Sequence, residues 1–198
     1  MRFKKIKYVL AIVIILVSIG IFTFCNSNII RKKEGVTKIA YWNFEDNMNK
    51  TTNSKISLAE TITKSETQIA ENCIAPGTEG AFEIIVNAEG SNVKLEYEIK
   101  LINEVNTPNN LYFFIKTDNT QKEFKNLVEL FNNIDFSGSF EVDNEKIKVY
   151  KIFWKWPYEN YNSDGSIDVN KDNEDLNYAK SNLDYIFEIE ISGKQSLN

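Results

Sequence analysis

The sequence contains no histidine. That absence excludes a His-Glu-x-x-His zinc site, a Ser-His-Asp triad and a Cys-His dyad. It also removes the side chain that titrates unaided near neutral pH. Cysteine is nearly absent, and the two present, Cys25 and Cys73, do not make a disulfide framework. Three Pro and eight Gly in 198 residues exclude collagen-like and low-complexity chains. An enzyme of this composition would have to work with carboxylates, Lys, Tyr or Cys alone. No catalytic residue is assigned, and the composition points to a protein that is not an enzyme.

Aromatic residues are plentiful. Thirteen Phe and nine Tyr are too many for a disordered chain. A length of 198 residues, 42% of them hydrophobic, allows one globular domain with an appendage.

The appendage is the start of the chain. Arg2, Lys4, Lys5 and Lys7 form a basic cluster, and residues 8–24 form an uncharged apolar run of 17. As a helix that run would be roughly 25 Å long, slightly less than a bilayer core. A basic start, an apolar stretch and polar residues after it describe an export signal, cleaved or retained as an anchor. Residues 1–27 are therefore read as signal peptide or membrane anchor, 28–36 as a polar connector and 37–198 as the folded domain. Any membrane contact is expected only through residues 8–24. Small residues at 18 and 20, or at 25 and 27, could serve cleavage by a signal peptidase. Phe24 stands before Cys25, where a lipidation signal takes a small residue, so Cys25 is not read as lipidated. Without the leader the chain keeps 19 cationic against 28 acidic side chains, a net charge of −9. That balance disfavours nucleic acid and anionic lipid as partners.

The rest reads as strands. Val93, Leu95, Tyr97, Ile99 and Leu101 alternate with Lys94, Glu96, Glu98 and Lys100, the period of a half-buried antiparallel strand. Leu183, Tyr185, Phe187, Ile189 and Ile191 repeat it, and residues 145–157 make a third long strand with Tyr150, Ile152, Trp154 and Trp156 on one face. Shorter strands are predicted over 37–45, 55–62, 81–87, 110–116 and 137–142. Pro76-Gly77 suits a type II turn, with Gly80 following, while Glu89-Gly90 and Asp143-Asn144 sit at hairpin distance between strands. Phe124, Leu127, Val128 and Phe131 fall at helical spacing, and Thr120 with Glu123 reads as a capping box before them. About eight strands and one short helix predict a mainly all-β fold, a jelly-roll-like antiparallel β-sandwich behind an N-terminal hydrophobic helix.

Four stretches, residues 39–44, 74–82, 93–99 and 153–159, carry a resemblance. Ile39-Ala40-Tyr41-Trp42-Asn43-Phe44, the Ala75-Pro76-Gly77-x-x-Gly80 turn and Trp154-Lys155-Trp156-Pro157-Tyr158-Glu159 are similar to the TasA/camelysin family of exported proteins of Gram-positive bacteria. The similarity runs through about residues 36–192. It implies a jelly-roll domain that is secreted or held at the cell surface, is matured by a dedicated signal peptidase, and assembles with itself or with related proteins into fibres of the biofilm matrix. It further implies that an N-terminal strand, here Ile39, Tyr41, Trp42 and Phe44, completes a sheet of the next subunit. An unpaired sheet edge and an extended apolar segment are physically suited to such a contact, and head-to-tail contacts propagate. The chain departs from the family pattern at Phe24-Cys25, where a small-residue cleavage site is usual. Camelysin-like endopeptidase activity is an alternative that the missing histidines disfavour. A monomeric surface module for carbohydrate or protein is the other, and Trp154 with Trp156 would be its platform if exposed; their apolar neighbours favour the core.

Residues 160–171 approach a calcium loop. Asn160, Asn162 and Asp164 stand at positions 1, 3 and 5, with Gly165 at 6 and Asp168 at 9, but Lys171 replaces the bidentate Glu at 12. Asp164, Asp168 and Asp172 remain as weak Ca²⁺ candidates in an otherwise solvated acidic loop. No other cofactor is expected. Cys73, with no histidine to activate it, reads as an ordinary small residue.

Overall fold

The structure, a computed structural model, describes residues 37–43, 50–66, 69–70, 72–117, 120–142, 144–181 and 183–195. The leader, the connector and Phe44 lie outside the described residues. All described residues belong to one compact unit, which falls within Glu34–Asn198. No helix among them is long and apolar enough to cross a membrane.

The described residues form a mostly β structure. β1 (Thr37–Asn43) and β2 (Lys50–Ser57) come first. A strand was expected to run on to residue 62, but the chain leaves β2 in a 3₁₀ turn, Leu58–Thr61, before the short β3 (Ile62–Ser65). Tertiary contacts impose the turn. Leu58 is fully buried, and Asp184 Oδ1 accepts the Ala59 N–H at 3.0 Å. Residues 75–78 then make the turn expected at Pro76-Gly77. Gly77 has φ +84°, and Thr78 N–H donates to Ala75 O at 3.2 Å.

β4 (Thr78–Asn87) and β5 (Leu95–Val105) follow. β4 is buried on both faces over most of its length, which is why its apolar residues run without alternation. β5 alternates as its sequence does, with Leu95, Tyr97 and Ile99 buried. β6 (Tyr112–Thr117) and β7 (Thr120–Phe124) pair antiparallel. Thr120 and Glu123 therefore belong to a strand and not to a helix cap, because Phe124 pairs with Phe113 across the ladder.

Helix α1 (Leu127–Asn133) begins one turn later. Its box is built by other residues: Asn126 Oδ1 accepts from Glu129 N at 2.8 Å, and Glu129 Oε2 accepts from Lys125 N at 2.7 Å. Leu127 and Leu130 are buried, whereas Val128 faces solvent. β8 (Ser137–Phe140), β9 (Ile147–Trp156), helix α2 (Val169–Lys180) and β10 (Ile186–Gln195) complete the chain. α2 stands where a solvated loop was expected. Its one buried side chain is Asp175, so it carries no apolar stripe by which periodicity would reveal it.

One sheet has the order β1-β4-β9-β6-β7, with β3 also pairing β4; the other has the order β2-β10-β5-β8. Their inner faces meet in one core. Phe82, Ile84, Ile152, Trp154 and Trp156 come from the first sheet, and Ile56, Leu95, Phe187, Ile189 and Ile191 from the second. Phe82 and Phe187 meet across the layers with ring centroids 5.3 Å apart. The Glu89-Gly90 turn is not a hairpin, because β4 and β5 lie in different sheets, and the same holds for β8 and β9 around residues 143–144. Each connection therefore joins strands of different sheets. Local turn chemistry does not distinguish the two outcomes, since either needs only a tight reversal.

Candidate functional site

The expected assembly segment lies at a sheet edge. β4 pairs β9 along one side over its whole length. Its other side is shared. β3 pairs antiparallel with the first part, Ile62 opposite Gly80 and Ser65 opposite Thr78. β1 pairs parallel with the second part, from Thr37 opposite Phe82 to Asn43 opposite Asn87. Tyr41 stands opposite Ile85 and Trp42 opposite Val86, while Ile39 falls at a register shift between Lys38 and Ala40. Phe44 lies outside the described residues. Within one chain the β4 edge is therefore filled by the chain's own start, where an open edge was expected. The pairing that fills it is parallel and irregular, the weaker kind per residue.

Trp154 and Trp156 are fully buried, which removes the platform a carbohydrate module would need at those positions. Trp154 Nε1 donates to Thr61 Oγ1 at 2.7 Å, and that hydroxyl donates to Leu58 O at 2.8 Å. Gly80 makes this contact possible. A Cβ there would stand 2.2 Å from Thr61 O and 2.6 Å from Trp154 Nε1. Trp156 Nε1 has no hydrogen-bond partner among the described residues; its ring meets Tyr178 edge-on at 5.2 Å and 78°.

Each of the three calcium candidates accepts hydrogen bonds from neighbouring residues. Asp164 Oδ1 accepts from the Ser166 hydroxyl at 2.7 Å and from Ser166 N at 3.0 Å, and these bonds hold its carboxyl below the usual carboxylate range. Asp168 caps α2 through Lys171 N at 3.3 Å. Asp172 Oδ1 accepts from Asn160 N at 2.8 Å and Asn160 Nδ2 at 3.1 Å. Sequence reasoning missed the part played by Asp175, the buried side chain of α2. Its side chain is 3% exposed. Asn110 Nδ2 donates to Oδ1 at 2.9 Å, and Asn160 Nδ2 donates to Oδ2 at 2.7 Å. Two segments, at Asn110 and at Asn160, are thereby pinned to α2 through one carboxylate. Among the described residues no group of three or more His, Cys, Asp or Glu side chains is arranged to hold a metal ion. Cys73 is half-buried shortly before the 75–78 turn.

Comparison with protein-family models, with curated proteins and with solved structures finds no match.

Proposed function

We propose that this chain is an exported protein of the cell surface or extracellular matrix, and that it assembles by exchanging β1 between copies. The place of β1 carries the reading. It is an edge strand in a parallel pair, and it joins the rest of the fold through residues 44–49. Every backbone bond it makes to Phe82–Asn87 in its own chain is available in the same register to β1 of a second copy. Because the chain fills its own edge, assembly proceeds by exchange, not by simple addition. A strand on a short tether competes with an effective concentration on the order of millimolar. Filaments therefore need crowding at a surface, or a perturbation that frees β1.

Export is supported by the basic and apolar leader of residues 2–24 and by the net charge of −9 beyond it. The jelly-roll reading is supported by the orders β2-β10-β5-β8 and β4-β9-β6-β7, in which successive strands cross between the layers except at β3–β4 and β6–β7. The resemblance to the TasA/camelysin family points the same way, toward matrix fibres built from this chain or related ones and processed by a signal peptidase.

The test compares forms spanning residues 28–198 and 46–198 by electron microscopy and sedimentation over a range of concentration and pH. The longer form should make filaments. The shorter should not, and it should bind a synthetic peptide of residues 36–45 at the vacated β4 edge. Two monomeric forms under all conditions, with no peptide binding, would refute the proposal.

A further inference from the structure

At the end of the sandwich marked by the 75–78 turn, a polar row crosses the outer face of the first sheet. Lys64 on β3 neighbours Glu79 on β4, which pairs with Lys155 on β9. Lys64 Nζ stands 3.3 Å from Glu66 Oε1 and 3.7 Å from Glu79 Oε1. Above this floor rises the segment after β9, and the two enclose an open cleft of about 320 Å³, at the small end of the range for small-molecule sites.

Two tyrosines overlook the cleft. Tyr158 is 58% exposed and Tyr161 57% exposed, and among the described residues outside β1 no other aromatic side chain is exposed to that degree. Neither ring is loosely hung. A Cβ built at Gly77 would lie 3.2 Å from Tyr158 Cδ2, so the Tyr158 ring rests on bare backbone. Tyr161 O–H donates to Glu159 Oε2 at 2.6 Å, and Tyr161 pairs with Ile167 in an isolated bridge. Asn162 N–H donates to Ser166 O at 2.8 Å, Asp168 N–H to Asn160 O at 2.8 Å, and the Asn160 side chain is tied to Asp172 and Asp175. The segment is held at both ends, so its rings enter a contact already ordered.

The geometry points to a saccharide site: Tyr158 and Tyr161 stack on pyranose rings while Glu66, Glu79, Glu159 and Lys155 take their hydroxyls. A pyranose with equatorial hydroxyls has an apolar C–H face and a polar rim. The cleft offers the complement, ring faces beside charged acceptors and a lysine for which no ion pair is seen among the described residues. A peptide fits less well. Strand addition needs a free backbone edge, and this floor is made of side chains on a sheet face whose strands are already paired. The inference does not depend on β1 exchange, since neither tyrosine lies near the β1–β4 register.

The test titrates the full chain with cellotetraose and with the β-1,4-linked tetramer of N-acetylglucosamine, in a detergent without a sugar headgroup, by calorimetry and by ¹H–¹⁵N chemical shifts. Saturable binding is expected for at least one glycan, with shifts centred on residues 155–167. Tyr158→Ala and Tyr161→Ala should each weaken it about five- to tenfold, and Tyr158→Phe should retain it. Thermal melts should be alike for all variants, because exposed positions carry little stability. The inference is overturned if neither glycan saturates at millimolar concentration, if the double alanine variant binds like the parent, or if the cleft takes an unstructured acidic peptide and no glycan.

Discussion

Replacing Gly80 by alanine adds a methyl group where Thr61 O would be 2.2 Å away and the Trp154 indole 2.6 Å away. Neither neighbour yields cheaply. One is backbone of the 3₁₀ turn, and the other is a fully buried ring held by its bond to Thr61 Oγ1. Overpacking of this kind costs about 1–3 kcal/mol. Losing the indole–hydroxyl bond adds about 1 kcal/mol. The gain in strand preference over glycine returns about 0.5–1 kcal/mol. The net loss is about 1–3.5 kcal/mol, or a fall in Tm of roughly 2–14 °C for a domain of this size. Calorimetry and urea titration followed by tryptophan fluorescence read it directly. Gly165→Ala is the control. Its φ is +82°, but nothing lies within 4 Å of the added atom, so only backbone strain of about 1 kcal/mol applies. If Gly80→Ala melts no lower than Gly165→Ala, the packing argument around Trp154 fails.

Two further outcomes follow from buried polar groups. Burial pushes the phenols of Tyr150, Tyr178 and Tyr185 above their ordinary value, with the Tyr185–Glu104 bond of 2.5 Å and the Tyr150–Tyr97 bond of 2.9 Å adding to it. Their contribution is intact below pH of about 10 and lost above it, because the unfolded chain ionises first; each phenol adds a slope approaching about 1.4 kcal/mol per pH unit. Urea midpoints between pH 8 and 11 should fall in that pattern, and Tyr185→Phe should be less stable at pH 8 yet fall less steeply; a flat profile to pH 11 would contradict it. Asp175→Ala should cost about 2–4 kcal/mol by taking the carboxylate from the amides of Asn110 and Asn160, which keep only Lys171 O and Asp172 Oδ1 as acceptors. It should also red-shift the Trp156 emission as α2 loosens from that ring, and unchanged emission with unchanged stability would count against the latch.

Legibility in the sequence followed burial. β5, β9 and β10 were readable because each has one wet and one dry face, and the side-chain period reports that difference. β2 was half-missed because Lys50 to Ser54 is polar throughout, at an edge where little is buried. α2 was missed for the related reason that it docks through a carboxylate and a tyrosine hydroxyl, Tyr178 donating to Asn106 O, and not through an apolar stripe. The misplaced helix start shows a pattern answering two questions at once. Thr120 and Glu123 satisfy the spacing of a cap, yet β6 offers that segment a complete ladder, and Asn126 with Glu129 caps the helix instead.

The candidate sites divide the same way. Charge, the absence of histidine, the basic and apolar character of residues 2–24 and the three long strands are properties of composition and of period, and a linear chain determines them alone. Burial of both tryptophans, the pinning of the segments at Asn110 and Asn160 on Asp175 and the meeting of Tyr158 with the Lys64–Glu79–Lys155 row were decided by tertiary structure. So was the occupant of the β4 edge. Residues 37–43 read as a strand in isolation, but a strand's sequence records its own pleat and not its partner. Which stretch of the edge it fills depends on where β3 begins, and that is set by a turn folded around a buried leucine and a distant aspartate.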